Sequence, residues 1–327
     1  QLETRWSKDV SPETAWPEYP RPQMVRKNWT NLNGLWQYAI RPKTKLAPPD
    51  KWDGEILVPF AIESALSGVR KSVQPDEQLW YRRTFEKPQL PKNGRLLIHF
   101  GAVDWECWVI VNGKMESDHP GGYTPFTVDI TDSLRDGENE LLVLVQDPTD
   151  TGDQPRGKQV LKPHGIFYTA VTGIWQTVWL EVVPENYVKR LDHLFPDVDR
   201  QRVTLTVITT HGSRKRVVAL DGEKEISRVD QTDQKVELPI PNPVLWSPER
   251  PHLYGLRVEL LEGGKVVDSV TSYFGMRKIE VKKDAQGINR LLLYGEVLFH
   301  FGTLDQGWWP DGLYTAPPGS PGADFLP

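Results

Sequence analysis

Val203-Thr204-Leu205-Thr206-Val207 places an apolar side chain at every second position with threonines between. That is the period-two pattern of a strand with one buried and one solvated face. Runs of similar character recur outward from it. Val217–Leu220 and Leu256–Leu261 follow, and Leu96–Phe100, Cys107–Val111, Leu141–Val145 and Thr177–Val183 precede. Asn33-Gly34, Asp53-Gly54, Asn93-Gly94, Asn112-Gly113, Asp136-Gly137 and Asp221-Gly222 punctuate them. Such pairs reach the positive φ angles of tight hairpins at little cost. Only Ile62–Val69 reads as a short helix, and no segment keeps a 3.6-residue apolar period across three turns. The spacing predicts an all-β, mostly antiparallel chain.

A length of 327 residues suits about two domains. Apolar residues at 38% and charged residues at 25% are an ordinary globular balance, while 26 Gly and 28 Pro announce many turns. The net charge of −5 argues against nucleic acid or an anionic membrane as partner. Cys107 stands alone, so there is no internal disulfide and no Cys-rich zinc site. No apolar run approaches the ~18 residues of a membrane span. Nothing at Gln1 resembles a signal peptide, and the chain does not open with Met. If a signal has been removed, a secreted or periplasmic location is expected. The text divides into a Trp- and Pro-rich block over 1–184, a block of short strands over 185–280 with the rhythm of an immunoglobulin-like sandwich, and a different segment over 281–327. In the last, Arg290–Tyr294 and Val297–Phe301 read as a hairpin about Gly295-Glu296.

Chemistry-bearing motifs are sparse. The histidines at 99, 119, 164, 193, 211, 252 and 300 show no zinc-ligand spacing, and no phosphate loop, dinucleotide fingerprint or nucleophile elbow is present. No metal and no cofactor are expected. Asp147, Asp150 and Asp153 fit no EF-hand spacing and read as a solvated loop. Asn28-Trp29-Thr30 is a formal glycosylation sequon. The aromatic content is more telling, with 13 Trp, 10 Tyr and 10 Phe. The C–H face of a sugar ring packs on a flat aromatic, while its hydroxyls take Asn, Asp, Gln and Arg partners. Trp108, Trp175 and Trp179 stand in strand-like context and read as core. Trp308 and Trp309 stand in a Gly-rich loop and are open to either role.

Several motifs then occur in one order. Leu79-Trp80-Tyr81-Arg82-Arg83-Thr84-Phe85 precedes Gly101-Ala102-Val103-Asp104-Trp105 and Val109-Ile110-Val111-Asn112-Gly113-Lys114. Gly121-Gly122-Tyr123-Thr124-Pro125-Phe126, Thr172-Gly173-Ile174-Trp175-Gln176 and Trp179-Leu180-Glu181 complete the block. The order resembles the N-terminal sugar-binding domain of glycoside hydrolase family 2, the family of β-galactosidases, β-glucuronidases and β-mannosidases. Pro243-Val244-Leu245-Trp246-Ser247-Pro248-Glu249 and Pro251-His252-Leu253-Tyr254 resemble the end of that family's immunoglobulin-like domain. Phe274-Gly275-Met276-Arg277-Lys278-Ile279 resembles the crossing into its catalytic barrel. The resemblance implies a jelly-roll, galactose-binding-like sandwich (1–184), an immunoglobulin-like sandwich (185–280) and the start of a (β/α)8 barrel (281–327).

The resemblance also implies hydrolysis of O-glycosidic bonds by two carboxylates about 5–5.5 Å apart, one a nucleophile and one an acid/base. In the family both lie on later strands of a barrel of ~250 residues, which the residues after Val281 do not supply. Asn139-Glu140, the one Asn-Glu pair, lies in a turn entering a strand and reads as structural. No catalytic residue is therefore assigned, and the chain alone is expected to be inactive. After Thr315-Ala316-Pro317 the text becomes Pro/Gly-rich and leaves the family pattern, so a shortened or frame-shifted reading frame is expected. By position in the family, His119 and Tyr123 approach a substrate from the first domain. Asp305, Gln306, Trp308 and Trp309 match the loop after the first barrel strand, which here is expected to have nothing to line. The expected partner is a β-linked carbohydrate, bound weakly at most. The alternative is a stand-alone carbohydrate-binding or structural interaction module. Leu291, Leu293, Val297 and Phe299 are expected to form an uncovered apolar edge that invites self-association.

Overall fold

The computed structural model describes residues 3–320. The alternating runs form strands as expected. In the first unit these are β1 (Trp29–Asn31), β2 (Gly34–Pro42), β3 (Gly54–Val58), β4 (Glu77–Glu86), β5 (Arg95–Phe100) and β6 (Val103–Asp104). They continue as β7 (Glu106–Val111), β8 (Lys114–Pro120), β9 (Phe126–Asp129), β10 (Glu138–Gln146), β11 (Gly173–Ile174) and β12 (Val178–Val183). A six-stranded sheet, β3-β2-β4-β10-β7-β8, faces a four-stranded one, β1-β12-β5-β9. Their inward side chains make one core, with Trp36, Tyr81 and Val143 from one sheet meeting Leu96, Ile98 and Leu180 from the other. This is the sandwich that the sequence predicts.

The second unit holds β13 (Val188–Asp197), β14 (Arg202–Thr209), β15 (Arg214–Asp221), β16 (Lys224–Gln231), β17 (Lys235–Pro239), β18 (Tyr254–Glu262) and β19 (Lys265–Phe274). They form the sheets β13-β14-β17 and β16-β15-β18-β19. Val203, Leu205 and Val207, the alternating residues that open the reading, are all buried between them.

Arg26 ties the two units together. It is 4% exposed, donates from Nε to Glu181 of β12 at 3.3 Å and from Nη2 to the Val188 carbonyl at 2.9 Å, and pairs through Nη1 with Asp268 of β19. Asp268 in turn accepts from the Val188 N–H at 2.8 Å. Burial pushes the Glu181 carboxyl up, but the His99 ring 3.4 Å away, with Arg21 and Tyr19, which both donate to it, outweighs burial and holds it well below the usual range.

Beyond the second unit, β20 (Ile279–Lys283), β21 (Asn289–Leu293) and β22 (Glu296–Val297) form a small sheet in that order. No barrel closes among the described residues. The hairpin is present, but its second strand pairs only through Glu296 and Val297 rather than through Phe301. Phe299 and Phe301 are 85% and 94% exposed, with no layer to bury them. Ile62–Val69 is a correction. Ile62, Ala65, Leu66 and Val69 are spaced like a helical face, yet the segment is a series of turns. Ser67 Oγ donates to the carbonyls of Ile62 and Ser64, and Ser64 Oγ accepts from the Ser67 N–H. Serine side chains thus take the backbone partners a helix would need. Among the described residues no helix is long and apolar enough to cross a membrane.

Candidate functional site

Three stretches converge at one end of the first sandwich: the turn after β8, the long β10–β11 connection, and residues 305–320. Gly122 is fixed by crowding, since a Cβ there would lie 2.4 Å from Asp104 Oδ1. Its carbonyl accepts from Trp175 Nε1 at 2.7 Å. That close approach carries Tyr123 to the rim. Gln159, 2% exposed, is the hub. Its Oε1 accepts from the Val171 N–H at 2.8 Å, and its Nε2 donates to the hydroxyls of Tyr123 at 2.8 Å and Tyr314 at 2.9 Å.

An aromatic shelf grows from this hub. Tyr314 lies 5.2 Å from Trp175 and 5.3 Å, edge-on, from Trp308, and Trp308 stacks on Tyr168 at 4.6 Å. Gln306 Oε1 accepts from Lys158 Nζ at 3.1 Å and from the Tyr168 hydroxyl at 3.4 Å. The loop expected to have nothing to line therefore lines the first sandwich. The segment is anchored there: Asp311 Oδ2 accepts from the Thr4 N–H at 2.8 Å, Trp16 Nε1 donates to the Ala316 carbonyl at 2.9 Å, and Thr315 Oγ1 donates to the Pro59 carbonyl at 3.1 Å. Apolar Leu313 and Ala316 are buried in the process.

Of the residues read from the sequence, Tyr123, Gln306 and Trp308 meet on this shelf. Trp309 turns to Trp6 at 6.3 Å, edge to face. Asp305 accepts from the Gly307 N–H at 2.8 Å in an exposed turn. His119 stacks on Phe126 at 4.1 Å, with Nε2 3.3 Å from Thr124 Oγ1. Trp175 and Trp179 are buried, whereas Trp108 is half-buried on the outer face of its sheet. Asn139 is fully buried, its amide tying down the Arg135 and Gly137 carbonyls.

Beneath the shelf lies a group that the sequence reading missed. Glu63, Asp104 and Asp147 are all buried. Thr172 links two of them, its N–H donating to Glu63 Oε2 at 2.9 Å and its hydroxyl to Asp147 Oδ2 at 3.0 Å. Asp147 also accepts from the Thr149 N–H at 2.7 Å, so it is a buried bracket and not part of a solvated loop. Burial pushes the Glu63 carboxyl up to about 8. Burial, and then the charge of Asp147, raises Asp104 well above its ordinary value, and burial raises Asp147. Among the described residues no group of three His, Cys, Asp or Glu side chains is placed to hold a metal ion.

Comparison with known proteins agrees with this architecture. The profile "Glycosyl hydrolases family 2, sugar binding domain" matches residues 56–184, and "Glycosyl hydrolases family 2" matches 195–277. A putative β-glucuronidase of Formosa agariphila is 30% identical over 82% of this chain and 33% of its own length. A β-galactosidase of Thermoanaerobacter pseudethanolicus is 28% identical over 63% of this chain and 29% of its own length. Among solved structures, a β-glucuronidase from Ruminococcus gnavus in complex with D-glucuronic acid superposes with a TM-score of 0.69 at 20% identity, over 86% of this chain and 51% of that one. The chain thus spans about a third of these curated relatives and half of that solved structure.

Proposed function

This chain belongs to glycosyl hydrolase family 2, and from that premise we propose that its residues form the amino-terminal, saccharide-facing part of a retaining β-glycosidase and do not themselves cleave the glycosidic bond. The observation that carries the reading is the shelf itself. Tyr123 and Trp308 come from opposite ends of the sequence and meet through Gln159 and Tyr314. Flat rings beside Gln306 and Lys158 suit a sugar's C–H face and hydroxyls. Retaining hydrolysis needs one ionised nucleophile and one acid about 5–5.5 Å apart, both open to the substrate. Glu63, Asp104 and Asp147 lie buried below the shelf with raised pKa values, and two of them bond Thr172. They suit a structural role. In the whole enzyme the attacking carboxylates come from polypeptide outside this chain. Titration of the purified chain with methyl β-glycosides, read by tryptophan fluorescence, tests the shelf. Weak binding that Tyr123→Ala and Trp308→Ala both abolish is expected, and binding unchanged in both variants contradicts it.

We also propose that a second copy pairs along β20. This strand lies at the edge of its sheet, with Ile279 59% and Val281 63% exposed. An antiparallel partner centred on Val281 sets Glu280 opposite Lys282 in both directions, so the edge is self-complementary in charge.

A further inference from the structure

The outer face of the six-stranded sheet carries a polar row distinct from the shelf. Gln37 of β2 lies opposite Glu55 of β3 on one side and Arg82 of β4 on the other, so the three side chains share one face. Arg82 is held from both flanks. Its Nε donates to Glu140 Oε1 at 2.6 Å and its Nη1 to Gln37 Oε1 at 2.8 Å, while Nη2 makes no hydrogen bond among the described residues. A groove of about 290 Å³ runs along this row, lined by Leu35, Gln37, Glu55, Arg82, Arg83 and Thr84. Two positions along β4, on the same face, stands Trp80. It clusters with Leu142 and Leu144 beneath the partly exposed rings of Trp52 and Trp108. Trp80 is 1% exposed, yet its indole N–H has no hydrogen-bond partner.

We propose that this face is a second saccharide surface, taking a neutral β-linked oligosaccharide along the Gln37–Arg82 row with its apolar faces against Leu35 and the tryptophan cluster. A preorganised guanidinium with one free N–H edge, a carboxamide and a hydroxyl meet sugar hydroxyls without first having to be ordered. The two lining or adjoining glutamates offset the two arginines, so the groove carries no net charge to attract a uronate. The surface lies on strands of the first sandwich and needs no residue of the shelf, so it stands or falls independently of the glycosidase reading.

The test uses the full 327-residue chain with cellotetraose, xylotetraose, β-1,4-galactotetraose and, as the acidic comparison, tetragalacturonate. Calorimetry measures affinity, and hydrogen exchange locates protection. At least one neutral tetrasaccharide is expected to bind and to protect the amides of β2 and β4. Arg82→Ala and Gln37→Ala are each expected to weaken it about tenfold, the scale of one lost charge-assisted hydrogen bond. Tyr123→Ala, which removes the shelf, is expected to leave the protection of the β2 and β4 amides in place, since the two sites share no residue. Unchanged melting temperatures for the two groove variants separate lost binding from lost fold. Absence of heat from every neutral tetrasaccharide, stronger protection of β2 and β4 by tetragalacturonate, or loss of that protection in Tyr123→Ala but in neither groove variant would each overturn the proposal.

Discussion

Burial strips the Glu63 carboxyl of water, and the Thr172 N–H is its one amide donor from another residue, so its pKa rises from an ordinary 4.5 to about 8. Below pH 4.5 the folded and unfolded states are both protonated there, and the stability is fully present. Between 4.5 and 8 the folded state holds one proton more, so stability falls with pH by about 1.4 kcal/mol per unit for this group. The loss levels off above 8. Asp104 and Asp147 are displaced in the same direction. Urea unfolding across that range should show Glu63→Gln with the shallower slope, the difference being about one proton's worth; parallel curves would contradict it. Gly122→Ala should destabilise the chain by about 1–3 kcal/mol, the cost of overpacking, because its Cβ would meet Asp104 Oδ1 at 2.4 Å. Thermal melts of the alanine variant check this, and an unchanged melting temperature would refute it. Tyr123, Gln306 and Trp308 were singled out in the sequence by their position in the family pattern, but nothing there announced that Gln159 and Tyr314 bring them together. The buried acids were not legible. Glu63, Asp104 and Asp147 lie far apart in sequence among 44 carboxylates, and only the fold brings Glu63 and Asp147 to Thr172 and Asp104 into their neighbourhood.

At the scale of elements, the strands were readable wherever one face is solvated, as in β14, because alternation survives there. β12 is buried at every position and shows no alternation; its apolar run marks it instead. Ile62–Val69 misled because apolar spacing is blind to side-chain competition. Ser64 and Ser67 close the turns, and the Leu66 N–H goes to the Asp311 carbonyl at 3.1 Å rather than to its own helix. Nothing in the spacing announced the seam between the two sandwiches. Removing Arg26 would leave Glu181 and Asp268 buried without their shared cation, so Arg26→Met should cost about 3–5 kcal/mol. Calorimetry should also resolve two transitions in that variant, as each sandwich loses its tie to the other. A single transition at the parental temperature would show that the seam is held by other contacts.

For the whole molecule, two sandwiches and a three-stranded appendix present an aromatic shelf, the proposed saccharide surface, and bare apolar side chains elsewhere. Ile279, Val281 and Val297 are each more than half exposed. Sedimentation velocity should therefore detect concentration-dependent association, and Val281→Lys should suppress it by placing like charge at the centre of the paired edge. A parental chain that stays monomeric at every concentration would remove that reading. The family, the all-β class and the two sandwiches were legible because each rests on local patterns repeated many times. The docking of residues 305–320 onto the first sandwich was not, since it depends on single long-range contacts such as Thr4 with Asp311. We propose a division of labour in which these residues face the sugar and other polypeptide attacks it. Incubation of the purified chain with p-nitrophenyl β-glucuronide, β-galactoside and β-mannoside tests it most directly. We predict release of nitrophenol no faster than in buffer, whereas saturable release proportional to the amount of this chain, from preparations free of contaminating glycosidase, would contradict the account.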